Sequence, residues 1–154
     1  MFSKPGLFPG FFIFRLARQI IICYNMNILI FMAKKILIIE DEEYIAEIYK
    51  LKLEKGAYEV LVASDGQSGL DLARTARPDL ILLDIVLPKL DGYDFLQALR
   101  QDPDIKNTLV YVISNLGQNA EIKKGLESGA DGYFVKANLT PQQLLENINK
   151  ILIK

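Results

Sequence analysis

The chain has 154 residues, of which 51% are hydrophobic and 24% charged, so one globular domain is the default and a disordered chain is excluded. A net charge of −1 argues against a general nucleic-acid binder, and the single cysteine, Cys23, excludes an intrachain disulfide. The absence of histidine excludes histidine metal sites, Ser-His-Asp triads and phosphohistidine chemistry on this chain.

Residues 1–32 differ from the rest of the chain. They hold six of the eight phenylalanines and three basic residues but no acid, which leaves a net charge of −4 for residues 33–154. Residues 11–32 are long enough to span a membrane but are interrupted by Arg15 and Arg18, and no small-residue cleavage site follows. We favour translated upstream sequence with a natural start at Met32. On that interpretation we expect a cytoplasmic protein. The alternative is that residues 11–32 form a membrane anchor, and the protein would then be attached to a membrane.

From Lys34 onward, apolar strands alternate with amphipathic helices. The strands are predicted at 35–39, 58–63, 80–84, 109–114 and 131–136. The helices are predicted from Glu42 to Gly56, from Ser64 to Pro78, from Asp91 through Leu99, from Asn119 to Ser128 and from Thr140 through Ile151. This alternation predicts βαβ units with a parallel sheet. The fold class is therefore α/β, a flavodoxin-like (βα)5 three-layer sandwich with strand order 2-1-3-4-5.

Polar residues stand at the ends of four of these strands. Glu40 and Asp41 follow the first strand, Asp84 closes the third, Ser114 the fourth and Lys136 the fifth. The first and third strands flank the switch point of this winding, where ligands bind. Three carboxylates there repel one another unless a cation offsets them, and Mg²⁺ (or Mn²⁺) suits oxygen ligands. Each residue alone is commonplace, but the joint pattern predicts a site for a phosphoryl group.

At these residues the chain resembles the receiver domain of two-component response regulators. The resemblance covers about residues 34–152. It rests on Ile38-Ile39-Glu40-Asp41-Glu42, on Leu82-Leu83-Asp84-Ile85-Val86-Leu87-Pro88 with Asp91-Gly92, on Val112-Ile113-Ser114, and on Gly129-Ala130-Asp131-Gly132-Tyr133-Phe134-Val135-Lys136.

The resemblance implies a role for each residue of the site. Asp84 would accept a phosphoryl group from a phosphohistidine on a histidine kinase or phosphotransfer protein. Glu40, Asp41 and Asp84, with the backbone carbonyl of Val86, would hold the Mg²⁺ or Mn²⁺ ion. Lys136 would pair with the acylphosphate. Apart from assisting its own phosphorylation and dephosphorylation, such a protein is not an enzyme.

The resemblance also implies a conformational switch. Ser114 would move to a phosphate oxygen, and Tyr133 would rotate inward as the coupled aromatic residue. The surface of the fourth helix, fifth strand and fifth helix would then change for a downstream protein target. Because the sequence stops at Lys154, directly after the last predicted helix, we expect a single-domain receiver without direct DNA binding.

Four positions near the site are unusual. Two of them depart from the family pattern, and the other two are apolar residues that flank the phosphoryl group. Asn115 stands where a small residue usually follows the switch hydroxyl, and Ala137 stands where a cis proline usually follows the lysine. A cis bond without proline costs about 3–4 kcal/mol, so we expect that loop to be trans or differently shaped. Val86 and Leu116, which flank the phosphoryl group in the family, cannot orient an attacking water, and this predicts a long-lived acylphosphate.

Two other functions remain open. One is an aspartyl-nucleophile phosphatase of the haloacid-dehalogenase type, but Val86 occupies the position at which those enzymes need a second acid. The other is a phosphorylation-independent interaction module, which the full set of acids, hydroxyl and lysine argues against. A flavin carrier lacks support, because no phosphate-binding loop follows the first strand.

Overall fold

One parallel sheet forms the centre of the computed structural model, which describes residues 33–152. Its five strands are β1 (Lys35–Ile39), β2 (Glu59–Ala63), β3 (Leu80–Leu83), β4 (Leu109–Ser114) and β5 (Gly132–Val135). The helices are α1 (Glu43–Lys55), α2 (Gly66–Ala76), α3 (Gly92–Gln101), α4 (Asn119–Glu127) and α5 (Pro141–Leu152). The extension predicted at residues 1–32, with both of its interpretations, lies outside the described residues.

The strand order is β2-β1-β3-β4-β5, with all neighbours parallel, so the predicted fold class and winding are confirmed. Ile39 of β1 stands beside Leu83 of β3 and beside Ala63 of β2. The register therefore brings the residues after β1 and after β3 to the same point at the carboxyl edge of the sheet.

Alternate residues of each central strand face opposite layers of helices. On β1, Leu37 and Ile39 pack into a core with α2 and α3, whereas Ile36 and Ile38 pack into a second core with α1 and α5. All four of these side chains are fully buried, and so are the four residues of β3. Strands buried on both faces explain the continuous apolar runs of the sequence and give the three-layer sandwich.

Three of the five helices, α2, α3 and α5, begin at side chains that satisfy free backbone amides. Asp65 accepts a hydrogen bond from the amide of Ser68 at 2.8 Å, and Asp91 accepts one from the amide of Asp94 at 2.9 Å. Thr140 and Gln143 form a reciprocal capping box in front of α5, where the amide of Gln143 donates to Thr140 Oγ1 and Gln143 Oε1 accepts from the amide of Thr140. These contacts fix where the loops at the carboxyl edge end.

Four strand boundaries differ by one residue from those predicted. Tyr58 lies outside β2, Asp84 lies outside β3, and Asp131 and Lys136 lie outside β5. Lys136 instead opens a short 3₁₀ turn, Lys136–Asn138. No peptide bond is cis within residues 33–152, so the Lys136–Ala137 bond is trans. Among the described helices, none is both long and apolar enough to cross a membrane.

Candidate functional site

Three carboxylates meet at the carboxyl ends of β1 and β3. Glu40 and Asp41 follow β1, and Asp84 follows β3, so the register of the two strands places their side chains together. One oxygen from each lies within 4.8 Å of the other two. Glu40 is 1% exposed and Asp84 5%, whereas Asp41 is open to solvent. The structure thus gathers the three acids that the sequence placed at the switch point.

Lys136 reaches this cluster from the far side of β4. Its ammonium lies 2.5 Å from Asp84 Oδ2 and 2.7 Å from Glu40 Oε2, and all three side chains are almost completely buried. Because β4 separates β3 from β5, only a long side chain at the end of β5 can make this contact. The ammonium is therefore held directly against the carboxylate of Asp84.

The charges of the cluster do not balance. Burial raises the pKa of Glu40, and the nearby charge of Asp84 adds to that effect, against the opposing influence of Lys136. Burial alone would lower the pKa of Lys136, but its contacts with Asp84 and Glu40 raise it on balance. Three carboxylates face one ammonium, and the surplus negative charge favours binding of a further cation.

The two oxygens of Glu40 have different partners. Oε1 accepts a long hydrogen bond from the amide of Glu42 at 3.4 Å. Oε2 is fully buried, and within residues 33–152 it accepts no aligned hydrogen bond, so its contact with Lys136 is an ion pair only. Carboxylate oxygens are the hard donors that Mg²⁺ or Mn²⁺ prefers. The donor set therefore fits the divalent ion predicted from the sequence.

Asp84 is oriented through its other oxygen. Oδ1 accepts hydrogen bonds from the amides of Ile85 at 2.6 Å and Val86 at 3.3 Å, while Oδ2 faces Lys136. Gly92 packs against the backbone carbonyl of Asp84 so closely that a Cβ there would lie 2.6 Å from that oxygen. The carboxylate is thus fixed in one orientation at the end of β3.

Ser114 and Tyr133 meet at the loop after β4. Ser114 is buried at the end of β4, and its hydroxyl accepts a hydrogen bond from the amide of Leu116 at 3.3 Å. The hydroxyl of Tyr133 donates to the carbonyl of the same Leu116 at 2.6 Å. The Tyr133 ring lies under α4, where a Cβ on Gly125 would approach it to 3.0 Å. The two predicted switch residues are therefore joined through one loop residue.

The N-terminal half of α4 is also tied to α3. The hydroxyl of Tyr93 donates to Glu121 Oε2 at 2.6 Å, and the ammonium of Lys124 lies 3.8 Å from the centre of the Tyr93 ring. Burial and the bond to Glu121 together raise the pKa of Tyr93. This contact was not predicted from the sequence, in which the three residues belong to two separate amphipathic helices.

The four positions singled out near the site lie in different parts of the structure. Asn115 and Ala137 line the same cavity of about 300 Å³, beside Lys136 and the buried Tyr49. Val86 is 64% exposed on the loop after Asp84, and Leu116 packs against the core on the α2–α3 side. Sequence reasoning gave Tyr49 no role, because its spacing in α1 is that of an ordinary core residue.

The sequence also gave no signal for a pair that fixes the loop after Asp84. The ammonium of Lys89 lies 2.9 Å from Oδ2 of the buried Asp65, the residue that caps α2. The amide of Ser68 and the contact with Lys89 lower the pKa of Asp65 to about 2. Pairs that are 24 positions apart in sequence cannot be identified from local patterns.

The model of the response regulator receiver domain matches residues 36–149. The chain belongs to the receiver domain family of two-component response regulators. The resemblance read from the sequence is therefore confirmed. Receiver domains are signalling modules rather than enzymes in the usual sense, and they interact with histidine kinases.

Solved receiver structures share the fold over nearly their whole length. The chemotaxis response regulator CheY4 of Vibrio cholerae is 29% identical, with a TM-score of 0.73, and the match covers 79% of this chain and all of that one. The receiver domain of the Francisella response regulator 1452 is 33% identical, with a TM-score of 0.70, covering 77% of this chain and 95% of that one.

Curated relatives are longer proteins. A probable transcriptional regulator, ycf27, of Guillardia theta is 40% identical over 119 residues, which cover 77% of this receiver chain and 45% of the relative. The transcriptional regulator PhoP of Bacillus subtilis is 39% identical over 123 residues, covering 79% and 49%. The chain spans about half the length of these relatives. Their names describe transcriptional regulators, which conflicts in part with the prediction of no direct DNA binding.

Proposed function

We propose that this receiver domain carries a phosphoryl group on Asp84 as one step of a phosphorelay. The observation that carries the proposal is the contact of Lys136 with Asp84 inside a buried cluster that also holds Glu40. A structural ion pair needs one acid, whereas this lysine faces a surplus of acids at the open edge of the sheet. Such an arrangement suits a site that is completed by a divalent ion and a phosphate.

In the proposed step, an oxygen of the Asp84 carboxylate attacks the phosphorus of a phosphohistidine on a partner protein. A P–O bond forms while the P–N bond breaks, and the imidazole nitrogen keeps the electron pair. Glu40, Asp41, Asp84 and the carbonyl of Val86 would hold Mg²⁺, which would neutralise charge on the phosphoryl oxygens. Lys136 exchanges its ion pair with Asp84 for one with the acylphosphate, which keeps that charge paired.

We further propose that the signal leaves the site through Ser114. A phosphate oxygen accepts a hydrogen bond from the Ser114 hydroxyl, and movement of the hydroxyl towards the phosphate takes Oγ away from the amide of Leu116, which donates to it at 3.3 Å without phosphate. Loss of that bond frees the loop whose carbonyl holds Tyr133, and the contact of Tyr133 with Gly125 passes the change to α4. A protein target would then bind the altered surface of α4, β5 and α5.

The test is phosphorylation with small donors that replace the unidentified kinase. The protein is incubated with Mg²⁺ and either acetyl phosphate or phosphoramidate, and intact mass spectrometry measures the addition of one phosphoryl group. We expect labelling that disappears in Asp84→Asn and persists in the control Asp91→Asn. Asp91 is an exposed aspartate of the same loop that caps α3, and an asparagine can take over that cap. Asn and Asp are comparable capping residues, so the control keeps its fold.

The other functions predict different results in the same assay. Continuous turnover of phosphate esters without a stable adduct would identify a phosphatase. No labelling of the wild-type protein by either donor would identify an interaction module that works without phosphorylation. Because neither Val86 nor Leu116 can activate water, we expect the adduct to last far longer than minutes. Loss of the label within minutes would contradict that part of the proposal.

A further inference from the structure

The loop from Asp84 to Asp91 is closed at its base. The amide of Gly92 donates to the carbonyl of Ile85 at 2.9 Å, which joins the end of the loop to its beginning. The contact of Gly92 with the Asp84 carbonyl leaves no room for a side chain. The base of the loop is therefore fixed by the backbone alone.

The tip of the loop is held by a different contact. Lys89 has a φ of +65°, in the left-handed region that residues other than glycine rarely adopt. Its ammonium bonds to Asp65 Oδ2 at 2.9 Å, while Oδ1 of the same carboxylate caps α2 through the amide of Ser68. A backbone conformation of this kind persists where neighbouring contacts hold it. Asp65 thus fastens the tip of the loop to the first turn of α2.

The backbones meet at the same place. A Cβ on Gly66 would lie only 2.0 Å from the carbonyl oxygen of Leu90, so α2 and the loop touch without a side chain between them. The amide of Leu90 also bonds to the carbonyl of Pro88 at 2.8 Å in a tight turn. The tip of the loop therefore cannot move without disturbing either this turn or the start of α2.

We propose that Asp65 and Lys89 are positioning residues for the divalent metal, a role that rests on the proposed function. Val86 lies between the fixed base and the fixed tip, and its backbone carbonyl is the proposed ligand. A carbonyl ligand has no side-chain torsions, so only the shape of the loop determines where its oxygen points. Mg²⁺ demands near-ideal octahedral geometry, and a loop that is already in place avoids an ordering cost on binding.

The exposure of the pair agrees with a geometric role. The Lys89 side chain is 68% exposed and that of Asp65 8%. Ion pairs open to water on one side add little to folding stability. The same contact can still hold the loop, because its effect is on where the loop lies rather than on whether the domain folds.

The experiment compares Lys89→Met and Asp65→Asn with the wild type. Asp65→Asn keeps an oxygen that can cap α2 but replaces Oδ2, the acceptor of Lys89, with an uncharged NH2 group that only donates. The matched control is Arg74→Gln, which breaks a 2.8 Å ion pair between α2 and Asp102 at some distance in sequence from this loop. Mn²⁺ affinity is measured by electron paramagnetic resonance of the free ion, and backbone hydrogen exchange of residues 85–90 is measured without metal.

Both variants are expected to bind Mn²⁺ up to about fivefold more weakly, because a partly exposed ion pair holds the loop by no more than about 1 kcal/mol, and to exchange faster in the loop. The two variants remove opposite charges. A purely electrostatic effect would therefore strengthen binding in Lys89→Met and weaken it in Asp65→Asn, whereas loss of positioning weakens it in both. Arg74→Gln should match the wild type in both measurements.

A third variant separates the ion pair from the backbone conformation. Lys89→Gly adopts the positive φ without strain but has no ammonium, so it should weaken Mn²⁺ binding as Lys89→Met does. Wild-type affinity in Lys89→Gly or Lys89→Met, together with unchanged exchange, would overturn the proposal. Absence of Mn²⁺ binding in the wild type would instead refute the proposed function, and loop exchange would still show whether the pair holds the loop.

Discussion

Replacement of Lys136 by methionine should destabilise the metal-free domain by about 3–5 kcal/mol, because removal of one partner of a buried ion pair leaves the others uncompensated. The ammonium lies within 2.7 Å of two carboxylates, and all three side chains are almost fully buried. Methionine retains the length and most of the volume of lysine, so the change tests charge rather than packing. A loss of this size is a large share of the stability of an ordinary domain.

The measurement is urea unfolding followed by far-UV circular dichroism, since the chain has no tryptophan. At an m-value of about 2 kcal/mol per M, the midpoint should fall by about 2 M. The matched control is Lys34→Met, which breaks a 3.1 Å pair with Asp79 in which the lysine is 49% exposed and the aspartate 36%. We expect that change to cost less than about 1 kcal/mol.

The loss should be reversible by removing the surplus charge. The double variant Lys136→Met, Asp84→Asn should recover part of the stability. In a separate experiment, Mg²⁺ at a hundred times its dissociation constant should add about 2.7 kcal/mol to the stability of the single variant Lys136→Met. The pKa of Glu40 is raised in the folded protein. Its protonated carboxyl therefore contributes stability that is fully present below the unfolded pKa and is lost as the pH rises through the folded pKa. Loss of Lys136 removes an influence that lowers this pKa, so the variant should gain stability as the pH falls from 7 towards the unfolded pKa of the Glu40 carboxyl. Wild-type stability of Lys136→Met in metal-free buffer at pH 7 would refute this reasoning.

Three further predictions concern the loops and helices around the site. Because the pKa of Asp65 is lowered to about 2, its ionised carboxylate contributes stability that is present above pH 4 and lost as the pH falls toward 2. Asp65→Asn should flatten that part of an acid-unfolding curve, and an unchanged curve would contradict the lowered pKa. Gly92→Ala should cost about 1–3 kcal/mol in urea unfolding and slow labelling by acetyl phosphate, because its Cβ would meet the Asp84 carbonyl at 2.6 Å; normal stability would show that the loop adjusts freely. Tyr93→Phe should cost about 1 kcal/mol through its lost bond to Glu121 and speed hydrogen exchange in α4, whereas unchanged exchange would exclude a tie between α3 and α4.

The strand order and the acidic cluster could be predicted because they depend on short-range patterns. The apolar run from Leu80 to Leu83, bounded by Pro78 and Pro88, is typical of a strand buried on both faces, and the residue after such a strand lies at an edge of the sheet. Glu40, Asp41, Asp84 and Lys136 all follow strands, so topology alone brings them together. Lys136 was assigned to the strand itself, and the one-residue difference reflects the usual fraying of strand ends.

Contacts between distant loops could not be predicted. Nothing in the neighbourhood of Lys89 indicates its positive φ or its bond to Asp65, since both depend on how closely α2 approaches the loop. The capping role of Asp65 was visible, but its second partner was not. The hydroxyl of Tyr133 is another case, because its acceptor is a backbone carbonyl that any residue at position 116 would provide.

The contact between Gly125 and Tyr133 has a consequence for kinetics. The aromatic ring touches a helix position that has no side chain, so no flexible group lies between them to absorb a displacement. A rotation of the ring must coincide with a shift of the helix backbone. Nuclear spins on both elements should consequently relax with one shared exchange rate, as a single concerted transition between two states.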